Sequence, residues 1–166
     1  AYFTTKYIPR QAPAATADQF FYVSKAIDGD TLRLSGGEHV RLIGIDTPES
    51  RYNNKLVRDS KRSRKDIDSI IKMGKEASNF TRKLVEGRKV RLEFDIERHD
   101  RYGRLLAYVY LEDGTFVNSK IIEEGYAQVM TVTPNVKYAQ IFLKLEREAR
   151  QKKKGLWKEN PEDKIF

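Results

Sequence analysis

The run Val40-Arg41-Leu42-Ile43-Gly44-Ile45-Asp46-Thr47-Pro48-Glu49 leaves this chain few choices of fold. Val40, Leu42, Ile43 and Ile45 are β-formers with period-two character, so the run reads as a buried strand. Pro48 has no N–H to give to a ladder and ends it. Arg41, Asp46, Thr47 and Glu49 sit on this strand or just past it. A strand end holds side chains more rigidly than a free loop, which suits a site that must keep its geometry. One reading is a metal carboxylate, a phosphate-binding arginine and an acid/base glutamate on one segment. The plainer one is an ordinary strand followed by a charged turn.

Around this run the hydrophobic periods fix an element order. Phe20 to Ile27 reads as a strand, Asp28-Gly29-Asp30-Thr31 as a turn, and Leu32 to Leu34 as a second strand. Ser35-Gly36-Gly37-Glu38 turns the chain into the opening strand, completing a meander. Ile67, Ile70, Ile71, Gly74, Ala77, Phe80 and Leu84 recur at helical spacing, with a start at either Ile67 or Gly74 and Gly87 as C-cap. Val90, Leu92, Phe94 and Ile96 alternate as a half-buried strand, and Leu105 to Leu111 is the next. Asn118 is expected to cap a short helix through Glu124. A longer helix over residues 136–154 carries Tyr138, Ile141, Phe142, Leu145 and Ala149 on one stripe, with Trp157 packed over its end. Three strands, a helix, two strands and two helices make an α+β, mainly β, protein. The arrangement is that of an OB-fold: a five-stranded antiparallel barrel with about three helices.

The 166 residues suit one domain. Residues 1–19, poor in core formers and rich in Ala and Pro, are expected to form a tether; residues 20–158 form the domain and 159–166 a tail. The 32 Lys and Arg against 24 Asp and Glu give a formal charge of +8, which favours polyanionic partners, nucleic acid first and an acidic membrane surface second. There is no cysteine, so disulfides, zinc-thiolate sites and thiol catalysis are excluded. No apolar run is long enough to span a bilayer. The chain begins at Ala1, which suggests a processed or trimmed form. Residues 50–66 carry Arg51, Lys55, Arg58, Lys61, Arg62, Arg64 and Lys65, relieved mainly by Asp59. Like charges repel and stay solvated, so this segment reads as a mobile basic loop, either gathering phosphates or merely solvated.

The chemistry concentrates at strand ends. Asp30 and Asp46, with the Thr47 carbonyl, would give an all-oxygen site for a hard cation such as calcium if the barrel brings them together. Neither histidine is near them in sequence, which disfavours a transition metal. Arg41 and Arg104 each lie on or beside a strand, and a guanidinium grips two phosphate oxygens while staying charged. Loss of either is expected to lower turnover much more than stability. Glu49, three residues after Asp46, could orient or deprotonate a water attacking phosphorus. His39 and His99 are isolated, lack a nucleophile partner, and read as structural or exposed.

Three linked motifs then carry a resemblance. Asp28-Gly29-Asp30-Thr31, the Arg41 to Glu49 segment ending in Asp-Thr-Pro-Glu, and Asp100-Arg101-Tyr102-Gly103-Arg104 followed by Leu-Ala-Tyr resemble the staphylococcal nuclease family, in order and spacing, over residues 20–158. The resemblance implies an OB-fold and a calcium-dependent phosphodiesterase acting on DNA and RNA. It implies Asp30, Asp46 and the Thr47 carbonyl as calcium ligands, Arg41 and Arg104 as holders of the scissile phosphate, and Glu49 as general base. It implies Arg101 and Tyr102 as contacts to a terminal phosphate. Two departures stand out. The family type carries two base-bracketing tyrosines after its second helix, where this chain has Val129-Met130-Thr131-Val132-Thr133; Tyr126 or Tyr138 could compensate. The basic segment 50–66 is also longer than usual.

The expectation is therefore a monomeric, secreted or surface-attached nuclease. Its rivals are a non-catalytic nucleic-acid-binding OB module and a basic adhesion domain for anionic surfaces. Intact Asp30, Arg41, Asp46, Glu49 and Arg104 argue for the enzyme.

Overall fold

The computed structural model describes residues 19–63, 65–158 and 165. Among these residues seven strands occur in chain order: β1 (Phe20–Asp28), β2 (Thr31–Leu34), β3 (His39–Leu42), β4 (Ile45–Asp46), β5 (Lys89–Glu93), β6 (Leu105–Leu111) and β7 (Gln128–Val129). Helices α1 (Asn54–Ser63) and α2 (Ile67–Val85) lie between β4 and β5, with α3 (Val117–Glu123) and α4 (Ala139–Gln151) towards the C-terminus. Five strands close into a barrel in the order β1-β2-β3-β6-β5, while β4 and β7 form a separate short ribbon. The barrel bears out the OB-fold expectation. One pairing departs from all-antiparallel: β3 runs parallel to β6, because α2 and β5 intervene before the chain returns beside β3.

The interior is filled by the inward positions of every barrel strand, among them Val23, Leu32, Val40, Leu42, Val90, Ala107 and Val109. A second core lies between helices: Leu56, Ile70, Ala77, Ala149, Leu156, Trp157 and Ile165, with the half-buried Tyr126 touching both cores. Trp157 packs beneath the end of α4 as expected, with the Arg150 guanidinium 4.3 Å from its ring centre. Ile165 joins this core, its N–H donating to Gln128 Oε1 at 2.8 Å. The rest of the expected tail, and the tether at 1–18, lie outside the described residues.

Several elements differ from expectation. The basic segment is not a loop across its length but contains α1. Leu56 is fully buried against α2, Asp59 turns inward, Lys55 reaches towards Asp46 and Glu49, and Arg58, Lys61 and Arg62 face outward, where water solvates them. Asn53 caps the start by accepting from Leu56 N–H at 2.8 Å, and Lys61 and Arg62 complement the C-terminal dipole. Helix α2 begins at Ile67, capped by Asp66 accepting from Ser69 N–H at 2.9 Å, so Gly74 is interior. It is glycine for a reason of contact: a Cβ there would stand 2.3 Å from Glu49 O. Strand β5 stops at Glu93 and leaves Ile96 exposed, and α4 begins at Ala139 with Ile141 exposed. Asn118 is not a cap. It is buried inside α3, donating to Ile43 O at 2.9 Å and accepting from Val109 N–H at 2.9 Å. It thus pins the β3–β4 connection to the barrel.

Candidate active site

Register decides what meets at the barrel mouth. Thr31 pairs with Arg41 across β2–β3, and Arg41 pairs with Leu106 across β3–β6. Asp30, the residue before Thr31, therefore falls beside Leu42 at the end of β3, while Arg104, two before Leu106, falls beside His39, so Arg41 stands between the two along the strand. Past β3 the chain turns at Gly44, whose φ of 82° lies in the left-handed region and whose open α-carbon lies against the Phe142 ring. That turn returns Asp46 towards Arg41.

The Arg41 guanidinium folds back over the β3–β4 connection. Its NH1 donates to Leu42 O at 3.0 Å and Ile45 O at 2.8 Å. Its NH2 donates to Asp46 Oδ1 at 3.1 Å and lies 3.4 Å from Asp30 Oδ2. One arginine therefore bridges the two aspartates. Asp30 is further held by Thr47, whose N–H and Oγ1 donate to Oδ2 at 2.9 and 3.0 Å, and by Thr31 Oγ1 on Oδ1 at 3.0 Å. Both aspartates are buried. Burial alone would raise the Asp30 carboxyl, but Arg41, the Thr47 N–H and Lys55 together hold it below its ordinary value. Burial, then the Asp30 charge, push Asp46 above its own despite Lys55 and Arg41.

Lys55, from the first turn of α1, completes the cluster. Its ammonium lies 3.2 Å from Asp46 Oδ1, 3.0 Å from Glu49 Oε1 and 3.4 Å from Asp59 Oδ2, and it donates to Thr47 O at 3.3 Å. Burial opposes the charged ammonium, but Asp46, Glu49 and Asp30 outweigh it and raise the Lys55 pKa. Glu49 is oriented on its other oxygen by Asn53 Nδ2 at 2.6 Å. Lys55, Asn53 and Asp59 are absent from the sequence-based site. The signal was there in Asn53 followed by Leu56 and Asp59 at helical spacing, but the density of basic residues masked it.

Arg104 approaches from the other side. Asp100 aims it: Oδ2 accepts from Arg104 Nε at 2.6 Å, while Oδ1 accepts from the N–H groups of Tyr102 and Arg104 at 2.9 and 3.0 Å. Arg101 lies 4.8 Å from the ring centre of Tyr102, which is 68% exposed. Arg41, Arg101 and Arg104 line one cavity of about 610 Å³, floored by Leu42, Ile43, Gly44 and Ile45 and walled by Met130 and Val132. A second cavity of about 450 Å³, lined by Asp46, Lys55, Arg58, Asp59, Arg62 and Met130, adjoins it at Met130. The structure thus brings Asp30, Arg41, Asp46, Thr47 and Glu49 into one bonded cluster, and Arg41, Arg101 and Arg104 onto one cavity wall. Tyr102 stands beside that wall. His39 and His99 are exposed, His99 on the cavity rim. Neither compensating tyrosine reaches the cavity. Tyr126 stacks on Phe80 at 4.6 Å, and Tyr138 donates to Glu93 while packing edge-on to Tyr108 at 4.6 Å.

Among the described residues no three His, Cys, Asp or Glu side chains form a metal cluster by themselves. The donors facing Lys55 are nevertheless all oxygen: two nearby carboxylates, a backbone carbonyl and a third carboxylate on α1. Such a set fits a hard cation with waters completing the shell, and the ammonium stands where that charge is wanted.

The profile described as "Staphylococcal nuclease homologue" matches residues 39–159. The chain belongs to the staphylococcal nuclease family. Within the family it is 40% identical to the thermonuclease of Staphylococcus intermedius over 140 residues, 82% of this chain and 75% of that protein. It is 37% identical to the thermonuclease of Staphylococcus hyicus over 143 residues, 84% and 76% of the two chains. It is also 38% identical to the SPbeta prophage-derived endonuclease YokF of Bacillus subtilis, covering 83% of this chain and 44% of that one. No helix among the described residues is long and apolar enough to cross a membrane.

Proposed function

We propose that this chain is a calcium-dependent nuclease that hydrolyses phosphodiester bonds of DNA and RNA through attack by an activated water. The observation that carries the reading is Arg41, which bridges Asp30 and Asp46 while lining the same cavity as Arg104. A site built to bind anions on one wall and a cation on the next suits a phosphate diester. Family membership and relatives named thermonuclease and endonuclease support it.

Asp30, Asp46 and the Thr47 carbonyl would hold calcium, which when bound would neutralise charge on the phosphate and favour water as nucleophile. Arg41 and Arg104 hold the phosphate and stabilise the charge that grows on its oxygens. Glu49, oriented by Asn53, takes the proton of the attacking water. Arg101 and Tyr102 receive a terminal phosphate or neighbouring nucleotide beside the cavity. The chain works as a secreted or surface-attached monomer whose nuclease domain spans residues 20–158.

The test is digestion of plasmid and RNA with calcium, with chelator, and with Glu49→Gln. Cleavage should need calcium and fall by roughly 10²–10⁴ in the variant, the usual contribution of a positioned acid–base group. Tight nucleic-acid binding with no cleavage under any condition would instead assign a non-catalytic OB module.

A further inference from the structure

The Lys55 ammonium faces two of the three groups that the metal reading needs, Asp46 and the Thr47 carbonyl, together with Glu49. Asp46 Oδ1, Thr47 O and Glu49 Oε1 lie 3.2, 3.3 and 3.0 Å from its Nζ. An ammonium is a compact, strongly hydrated point charge with three donors, the side chain nearest in character to a small cation. A calcium ion takes its oxygens at about 2.3–2.6 Å, so the two charges cannot share this position. Charge points the same way. Among the described residues, Asp30, Asp46, Glu49 and Asp59 pair at close range with Arg41 and Lys55, and Asp59 also with the largely exposed Arg62. The cluster keeps a surplus of negative charge that a further positive charge would neutralise.

The displaced ammonium also has somewhere to go. Asp59 follows Lys55 by one helical turn on the same face of α1. It is 4% exposed, and among the described residues its Oδ2 has no hydrogen-bond partner and meets the Lys55 ammonium at 3.4 Å. A buried carboxylate oxygen held this loosely is an acceptor kept in reserve. The cavity of about 450 Å³ lined by Asp46, Lys55 and Asp59 leaves room for the swing.

We propose that Lys55 is a built-in counter-ion that caps the cation cage, that a divalent ion and the ammonium are alternative occupants, and that Asp59 takes the ammonium when the ion binds. The inference rests on the metal assignment made under Proposed function. Lys55 then sets the calcium concentration at which the site fills, since the ion must displace it, and apparent affinity is reduced by the fraction of uncapped protein.

Calorimetric titration of the intact chain with calcium, and melting temperature with calcium or chelator, test this without any turnover measurement. Lys55→Met keeps the stem and removes the charge. It should bind calcium at least about tenfold more tightly if the cage is capped nine-tenths of the time. It should melt lower than wild type in chelator, with the gap closing as calcium saturates. Asp59→Asn should move affinity the other way, weakening it, because the displaced ammonium loses its acceptor. Lys55→Met with unchanged or weaker calcium affinity, or with the same melting loss with and without calcium, overturns the capping proposal while wild-type binding keeps the metal assignment standing. Wild type that binds no calcium, with Asp46→Asn no different, overturns both.

Discussion

Arg41 and Arg104 look equivalent as residue types, but their surroundings separate them. Arg41 donates to two carbonyls and one carboxylate and lies beside a second carboxylate, largely out of water. Its removal leaves two buried acids facing each other, and breaking a buried charge pair costs about 3–5 kcal/mol. Arg104 has one carboxylate partner, Asp100, and is partly solvated. Exposed pairs contribute about 0–1 kcal/mol. Arg104→Ala should therefore lower turnover by roughly 10²–10³ with little change in melting temperature. Arg41→Ala should lose both, which revises the expectation that either loss spares stability. Thermal melts beside single-turnover rates check this; a melting loss for Arg104→Ala as large as that for Arg41→Ala would show that Arg104 serves the fold. The motif Asp100-Arg101-Tyr102-Gly103-Arg104 was legible as a site. That Asp100 aims Arg104 was not, since the bond depends on how the turn closes.

Among the elements, α2 controls Glu49 through a missing side chain. The backbone of Glu49 and Ser50 crosses the helix at Gly74, where a Cβ would lie 2.3 Å from Glu49 O and 2.6 Å from Ser50 N. Glycine inside a helix costs about 1 kcal/mol against alanine, so propensity alone favours replacing it. The overlap is with backbone, which cannot swing aside, and overpacking of this kind costs about 1–3 kcal/mol. The clash should win. Gly74→Ala is expected to lower stability and to lower turnover more than tenfold, because Glu49 and its Asn53 partner move with the displaced chain. Unchanged turnover in a stable variant would remove α2 from the positioning of Glu49. The sequence marked Gly74 as a weak point of a helix because helical period is local. The crossing backbone that explains it, Glu49 and Ser50, lies 25 and 24 residues earlier.

For the molecule as a whole, the link between α4 and the barrel contributes to acid stability. Glu93 on β5 accepts from Tyr110 and Tyr138 hydroxyls at 3.1 and 2.9 Å and pairs with Lys137, joining the start of α4 to two barrel strands. Burial would raise its carboxyl, but these donors hold it below the ordinary 4.5. Asp95, which accepts from Tyr108 at 2.9 Å, is likewise held below 3.8 by that hydroxyl and Lys137 against burial. Groups depressed in the fold stabilise it above their ordinary values, and that stability is lost as pH falls through the folded ones. Melting temperature should drop steeply below about pH 4.5, and Glu93→Gln should be less stable at neutral pH with the difference shrinking in acid. A constant difference across that range would mean Glu93 acts through packing alone. The sequence by itself determined the barrel strands, the main helices and the family, because alternation, helical period and turn chemistry are short-range signals. Tertiary structure alone decided that α1 is a helix, that Asn118 is a pin and that Lys55 sits among the site oxygens. Those outcomes depend on which surface a segment packs against, and a charge-rich stretch hides its few buried residues until the partner surface exists.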